Sequence, residues 1–136
     1  MHNVGSIFRT ADACQIERLV LCGITGKPPH RDIHKSALGA TETVNWEYAS
    51  NTLDAVISLR EEGYRIIGLE QTENSMFPDQ LVNKTVKTAL IVGNEVDGVD
   101  QAVLDTCDHC MEIPQRGTKH SLNVSVAAGI AMYELT

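Results

Sequence analysis

Thr88-Ala-Leu-Ile-Val-Gly-Asn-Glu-Val-Asp-Gly-Val99 decides the fold class. Thr88 to Val92 is short, continuous and apolar, as a central strand of a parallel sheet is when both its faces are covered. A Gly-flanked acidic turn follows, and 100–107 then reads as a helix. This strand–turn–helix unit repeats in both directions. Upstream, Arg18 to Cys22 (RLVLC), Glu42 to Trp46 and Tyr64 to Leu69 (YRIIGL) read as strands, and downstream so does Met111 to Ile113. Between them lie helical patterns. Val4, Ile7, Phe8 and Ala11 fall on one helical stripe, with Asn3 placed to cap it. A short helix over 31–38 ends at Gly39. Another opens at Asn51 or Thr52, turns Leu53, Val56, Ile57 and Leu59 inward, and closes at Gly63. The last runs over 121–135. Gly and Pro mark 23–30 as a loop, and 70–80 is polar, with room for one helical turn. Strands alternating with helices predict an α/β fold, a mostly parallel sheet flanked by helices. No internal repeat, low-complexity tract or linker divides the chain, so a single domain over 1–136 is expected.

The composition agrees. At 136 residues the chain is one domain in size and can bury about two-thirds of its unfolded surface. Its 43% hydrophobic and 21% charged residues exclude disordered and collagen-like classes. No apolar run approaches the roughly 20 residues of a membrane helix. The start, MHNVGSIFRTADAC, has neither the basic segment nor the apolar core of a secretory signal, so the expected compartment is the cytoplasm. Eighteen acids against 11 Lys and Arg give a net charge of −7, which argues against indiscriminate adhesion to nucleic acid but leaves room for a local basic site. Aromatic residues are only 4%, too few for a base-stacking platform.

Cys14, Cys22, Cys107 and Cys110 are expected as reduced thiols in such a compartment. Cys107-Asp108-His109-Cys110 has a spacing that can bind zinc or carry redox chemistry. Zinc needs two further ligands, and Cys14 and Cys22 offer no comparable spacing. The plainer reading is a helix end running into a strand, with small buried thiols.

Three segments stand out as candidate chemistry. Residues 3–11, NVGSIFRTA, put Asn3 and Arg9 near a helix start, beside a core-facing stripe. Residues 91–99, IVGNEVDGV, form an acidic turn beyond the end of a buried strand, where open α/β sheets bind ligands. The turn lacks the lysine and glycine spacing of a phosphate cradle, and Glu95 and Asp97 would repel phosphate. It suits a ligand with hydroxyls or positive charge. Residues 113–129, IPQRGTKHSLNVSVAAG, run from a strand end through a basic loop into a helix. There Ser121, Asn123 and Ser125, weak helix formers, suggest close contact with a backbone or ligand.

Taken together, NVGSIFRTADA, IVGNEVDGV and IPQRGTKHSLNVSVAAGIAMYEL resemble motifs 1, 2 and 3 of the SpoU (TrmH-like) branch of the SPOUT RNA methyltransferases. The intervening HKSALGATETVNWEY is also similar, so the resemblance spans essentially the whole chain. It implies an α/β domain whose C-terminal segment forms a deep trefoil knot, a rare exception to ordinary topology. It implies S-adenosylmethionine as cofactor, a homodimer, and methyl transfer to a ribose 2′-hydroxyl of structured RNA, tRNA or rRNA. The methyl sulfonium is its own electrophile, so no metal is expected. Arg9 matches the motif 1 arginine implicated in activating the hydroxyl. A guanidinium is a very weak base, so Arg9 is expected to orient ribose or phosphate, with any base role requiring the bound RNA phosphate. Asn3 would hold Arg9 or the RNA. Glu95 matches the motif 2 glutamate, and Ser121 and Asn123 the motif 3 polar pair beside cofactor and target nucleotide. Gly93, Ile113, Leu122 and Asn123 would touch the cofactor. Arg116, Lys119 and His120, a dense basic cluster in an acidic chain, are where RNA phosphates belong. The Ser121 to Leu135 helix, with the Val4 and Phe8 face of the first helix, would bury the dimer interface.

The chain also departs from the family pattern. Met1 and His2 stand directly before Asn3, where relatives carry a strand and an Asp-Pro-type turn. Either the first strand is absent or the chain is a truncated form of a longer protein, and no accessory RNA-binding domain is expected in it. A second reading is therefore a catalytically inactive dimeric remnant that still binds RNA. Intact Asn3, Arg9, Glu95, Ser121 and Asn123 favour the enzyme.

Overall fold

The computed structural model describes every residue except Glu95, Lys119 and His120. The chain forms two compact units, Met1–Ala55 and Val56–Thr136. Helices alternate with strands, and among the described residues the strands of both sheets pair in parallel, the α/β arrangement expected. The strands divide between two sheets, β1-β2 and β4-β3-β5.

In the first unit α1 (His2–Ala13) buries Gly5, Phe8 and Ala11. Asn3 lies inside this helix and Met1 occupies the cap position, so the expected Asn3 cap is not formed. The helix begins earlier because it packs closely on α2 (Arg31–Ala37). Gly5 sits against Ser36, Ile33 and Ala37, and the Ser36 hydroxyl donates to the His2 carbonyl at 3.0 Å. Phe8 has no exposed surface, which removes it from the proposed dimer face. Between the two helices β1 (Leu19–Cys22) forms as read. His30 caps α2, its Nδ1 accepting the Asp32 N–H at 3.1 Å. The helix ends one residue early, because Leu38 and Gly39 both take left-handed conformations.

The strand read over 42–46 is corrected. Residues Ala40–Thr43 form a single helical turn, α3, and β2 is Trp46–Ala49. The Thr- and Val-rich 41–44 stretch has strand propensity, but the positive φ of Gly39 starts a turn there, and the Glu42 N–H closes it on the Gly39 carbonyl at 3.0 Å. The ladder is then set further along, with Leu19 opposite Trp46. Next comes α4 (Thr52–Glu61), capped by Asn51, whose Oδ1 accepts the Asp54 N–H at 3.0 Å. Of its predicted inward residues only Val56 is buried, while Ile57 is 43% exposed.

The second unit is built on β3 (Arg65–Leu69), central between β4 (Thr88–Ile91) and β5 (His109–Met111). The strand read over 111–113 thus begins earlier, because His109 and Cys110 pair with Ile67 and Gly68. One helical turn, α5 (Pro78–Leu81), interrupts the polar 70–80 stretch, and α6 (Gln101–Leu104) is shorter than read. Ile67, Leu81, Met111 and Ala131 form a core cluster, with Leu90, Ile113 and Leu135 packed on it. The last helix, α7, is Val124–Leu135 rather than 121–135. Asn123 is its cap, and its Oδ1 accepts the Ser125 N–H at 2.9 Å, so Ser121 and Leu122 precede the helix. Among the described residues no helix is long and apolar enough to cross a membrane.

Candidate functional site

Parallel strands deliver their loops to one end of a sheet, and two such loops in the second unit carry predicted site residues. The first follows β4. Gly93 is pressed on the chain where the turn returns, so a Cβ there would overlap the Gly98 carbonyl and the Val99 nitrogen. The turn is held from within. Asn94 Oδ1 accepts the N–H groups of Val96 at 2.9 Å and Asp97 at 2.7 Å, and the Asn94 carbonyl accepts the Gly98 N–H at 3.1 Å. From outside, Glu70 at the end of β3 accepts the Val99 N–H through Oε2 at 3.1 Å. Gly98 has a φ of 68° and lies against the same carboxylate, a position only glycine fills without strain. Glu95 lies outside the described residues.

The second loop follows β5. Gln115 Oε1 accepts the Leu122 N–H at 3.0 Å and so ties the two ends of the basic loop together. The loop borders a cavity of about 500 Å³ lined by Gln71, Phe77, Glu112, Ile113, Pro114, Gln115, Gly117, Thr118 and Ser121. The Glu112 carboxylate accepts the Ser75 hydroxyl at 3.0 Å, which fixes it in the wall. Amides, hydroxyls and one carboxylate thus face apolar Phe77, Ile113 and Pro114. Such a wall suits a ligand with an apolar body and polar edges, and the volume falls in the range of small-molecule sites.

The predicted residues divide accordingly. Ile113 and Ser121 line the cavity, whereas Gly93, Arg116, Leu122 and Asn123 are not among its lining residues. Leu122 is fastened to the cavity wall through Gln115, and Asn123 serves as helix cap. Arg116 is exposed, and Lys119 and His120 lie outside the described residues. Asn3 and Arg9 share α1 in the first unit, Asn3 half-buried and Arg9 exposed. The sequence reading missed Gln71, Phe77 and Glu112. The strand-end rule that singled out the β4 turn applies equally to β3 and β5, and would have pointed to Gln71 and Glu112.

The Cys107–Cys110 pair is explained by packing. Both thiols lie against Gly68, all four cysteines are free, and burial above all, with Cys110 and Asp108 beside it, pushes the Cys107 thiol up to about 11. The thiolate that a metal or a redox reaction uses is disfavoured there. Among the described residues no three His, Cys, Asp or Glu side chains gather as a metal site.

Parallel strands, crossover helices and a polar cavity at the strand ends define the class of α/β proteins that bind small ligands at the carboxyl edge of the sheet. The model of the SpoU rRNA methylase family matches residues 1–133, and the chain belongs to that family. It is 33% identical over 134 residues to the 23S rRNA (guanosine-2′-O-)-methyltransferase RlmB of Vibrio vulnificus, covering 98% of this chain and 53% of that protein. Among solved structures, an AdoMet-bound rRNA methyltransferase from Sinorhizobium meliloti superposes with a TM-score of 0.91 at 28% identity, over 98% of this chain and 51% of that one. The A. aeolicus TrmH/SpoU tRNA modifying enzyme gives 0.87 at 31%, over 98% and 67%. The chain spans about half the length of the curated relatives it matches.

Proposed function

We propose that this protein transfers a methyl group from S-adenosylmethionine to a ribose 2′-hydroxyl of structured RNA, tRNA or rRNA, as a homodimer whose C-terminal segment forms a trefoil knot. The observation that carries the reading is the cavity beyond β3 and β5, in a chain that matches the family model over nearly its whole length. Its volume, its apolar walls and its carboxylate fit a cofactor with a flat ring, hydroxyls and a positive sulfonium. Ile113 and Ser121 would hold it, with Gln71 from beyond β3, Glu112 beside Ile113 at the end of β5, and Gly93, Leu122 and Asn123 on the adjoining loops. Bound there, the cofactor supplies an electrophilic methyl group.

The chain's own residues do the rest. Arg9 would orient the ribose or its phosphate through the planar guanidinium fork, and Asn3 would steady Arg9 or the RNA. Glu95 would accept hydrogen bonds at the site. Asn123 uses its Oδ1 on the helix, which leaves its amide NH₂ to donate. Arg116, Lys119 and His120 would meet phosphates. Positioning hydroxyl and methyl in line is the main catalytic contribution. For the dimer, Val126, Ile130 and Tyr133 are 49%, 37% and 74% exposed along one stripe of α7, an apolar surface suited to an isologous contact.

Single-turnover methylation at saturating RNA and cofactor tests the assignment. Arg9→Ala and Arg9→Lys should both lose methyl transfer with the fold intact, because Arg9 is exposed and outside the core. Near-wild-type chemistry from Arg9→Ala would reduce Arg9 to a binding residue. The inactive-remnant reading predicts no methyl transfer from the wild type at all.

A further inference from the structure

A second cationic surface stands in the first unit. Residues 27–35, KPPHRDIHK, hold three of the chain's 11 Lys and Arg and two of its five His, with one acid, in a molecule of net charge −7. The fold turns these charges outward. Ile33 and Ala37 of α2 are buried, Ala37 and the Ile33 backbone lying against α1 at Gly5, so Arg31, His34 and Lys35 share the opposite, exposed face at helical spacing. Among the described residues none of the three has a carboxylate within ion-pair distance, the ion pairs being Arg18–Glu47 and Arg60–Asp108.

The loop that leads into this face is fixed. The Tyr48 hydroxyl donates to the Gly23 carbonyl at 2.6 Å, Gly23 N–H bonds the Ala49 carbonyl at 2.9 Å, and Thr25 N–H the Cys22 carbonyl at 3.0 Å. Exposed Lys27 lies with its ammonium 4.2 Å from the Tyr48 ring centre, and that ring is 40% exposed. Ile24, at 97% exposure, projects from the same loop. Arg31 and Lys35, without an ion pair among the described residues, and His34 as a hydrogen-bond donor, on the unit that also exposes Lys27 and Tyr48, match the chemistry of a nucleic-acid backbone. Several positive side chains spread over a loop and an exposed helix face suit a run of phosphates.

We propose that Lys27, Arg31, His34 and Lys35 form a second phosphate-contacting face for RNA, carried by the first unit, while the 116–120 cluster belongs to the second. The inference rests on the RNA reading above. It also gives the acidic chain a purpose: with the rest of the surface repelling a polyanion, a few cationic faces fix its orientation.

The test uses the full chain with two probes, pooled tRNA transcripts and deproteinised ribosomal RNA, and measures affinity across a salt series. Arg31→Gln combined with Lys35→Gln should lower the slope of log K against log salt by about 1.5, two phosphate contacts at roughly 0.7–0.9 each, and weaken binding at low salt by about tenfold or more. Exchanging the two residues, Arg31→Lys with Lys35→Arg, should keep the slope, since a phosphate contact needs only the charge. Circular dichroism should show both variants folded. A wild type that methylates either RNA while the Gln variant keeps its affinity and slope would overturn the inference and leave the proposed function standing. Polyglutamate that competes as well as RNA would overturn it in favour of an acidic protein partner. A wild type that neither binds nor methylates RNA would sink the underlying function, and the inference with it.

Discussion

Replacing Gly93 by alanine puts one methyl group where the β4 loop touches itself. The added Cβ would overlap the carbonyl carbon and oxygen of Gly98 and the nitrogen of Val99. All three are backbone atoms, so no side chain can swing aside. If the turn holds, overpacking costs about 1–3 kcal/mol. If it opens, the Gly98 N–H to Asn94 carbonyl bond is lost, about 1 kcal/mol, with the Val99 N–H to Glu70 carboxylate bond, about 1.5–3 kcal/mol. The smaller cost governs, so Gly93→Ala should destabilise by about 1–3 kcal/mol. Should the turn give way, S-adenosylhomocysteine affinity should fall by about tenfold or more, since about 1.4 kcal/mol of distortion suffices for that. Gly117, which lines the cavity, is the control for stability alone. A Cβ there meets nothing within 4 Å, so Gly117→Ala should leave stability unchanged or slightly raised. Thermal unfolding and calorimetric titration read both quantities. A Gly93→Ala protein with wild-type melting and wild-type ligand affinity would refute both the close approach and the role of the turn.

Two further perturbations probe the scaffold. Gly5→Ala gains about 1 kcal/mol of helix propensity but drives a methyl into Ser36 Oγ and the Ile33 carbonyl, 3.0 Å from the Ala37 nitrogen. Against an overpacking cost of about 1–3 kcal/mol, that leaves a net loss of up to about 2 kcal/mol, which should lower the melting temperature by up to roughly 10 °C, where a simple exposed helical glycine would raise it. Asp108 accepts the Ile66 N–H at 2.7 Å and the Arg60 guanidinium at 3.0 Å, and the first of these above all holds its carboxyl below the usual range. A depressed carboxyl contributes stability that is present above its unfolded value, about 3.9, and lost as the pH falls through its folded one. Asp108→Ala should therefore cost about 1–2 kcal/mol at neutral pH, given the partial exposure of the pair. The gap to wild type should close as melting curves are taken into acid below about pH 4. A gap constant with pH would remove the charge from the explanation.

What the sequence made legible follows from where local and tertiary forces agree. TALIV and YRIIGL are read correctly as strands, but the central place expected for TALIV goes to β3: β4 is an edge of its three-stranded sheet with every residue only half-buried, while β3 buries Ile66, Ile67 and Gly68 between its two neighbours. The 41–44 stretch is misread because strand-prone Thr and Val compete with a backbone reversal at Gly39, and only the positive φ decides. At 121–123 the cue was present but weighed wrongly. An asparagine directly before an apolar run is a cap, and treating Ser121 as helical hid that.

The surfaces were less legible than the elements. The C-terminal helix is apolar on every side, so its sequence gives no direction in which to bury it. Ala128, Ala131 and Met132 are buried, and Val126, Ile130 and Tyr133 stand out, because Ala131 and Leu135 find the Ile67 and Met111 core of this unit. Phe8 reads equally well as core or as interface, and the packing of α1 on α2 makes it core. The cavity follows the same logic. Six of its nine lining residues, from Ile113 to Ser121, lie in a motif, whereas Gln71, Phe77 and Glu112 lie outside all three motifs. They converge because β3 is flanked in parallel by β4 and β5, which brings the strand-end loops together. Topology thus supplies a third of the pocket wall, three of its nine lining residues.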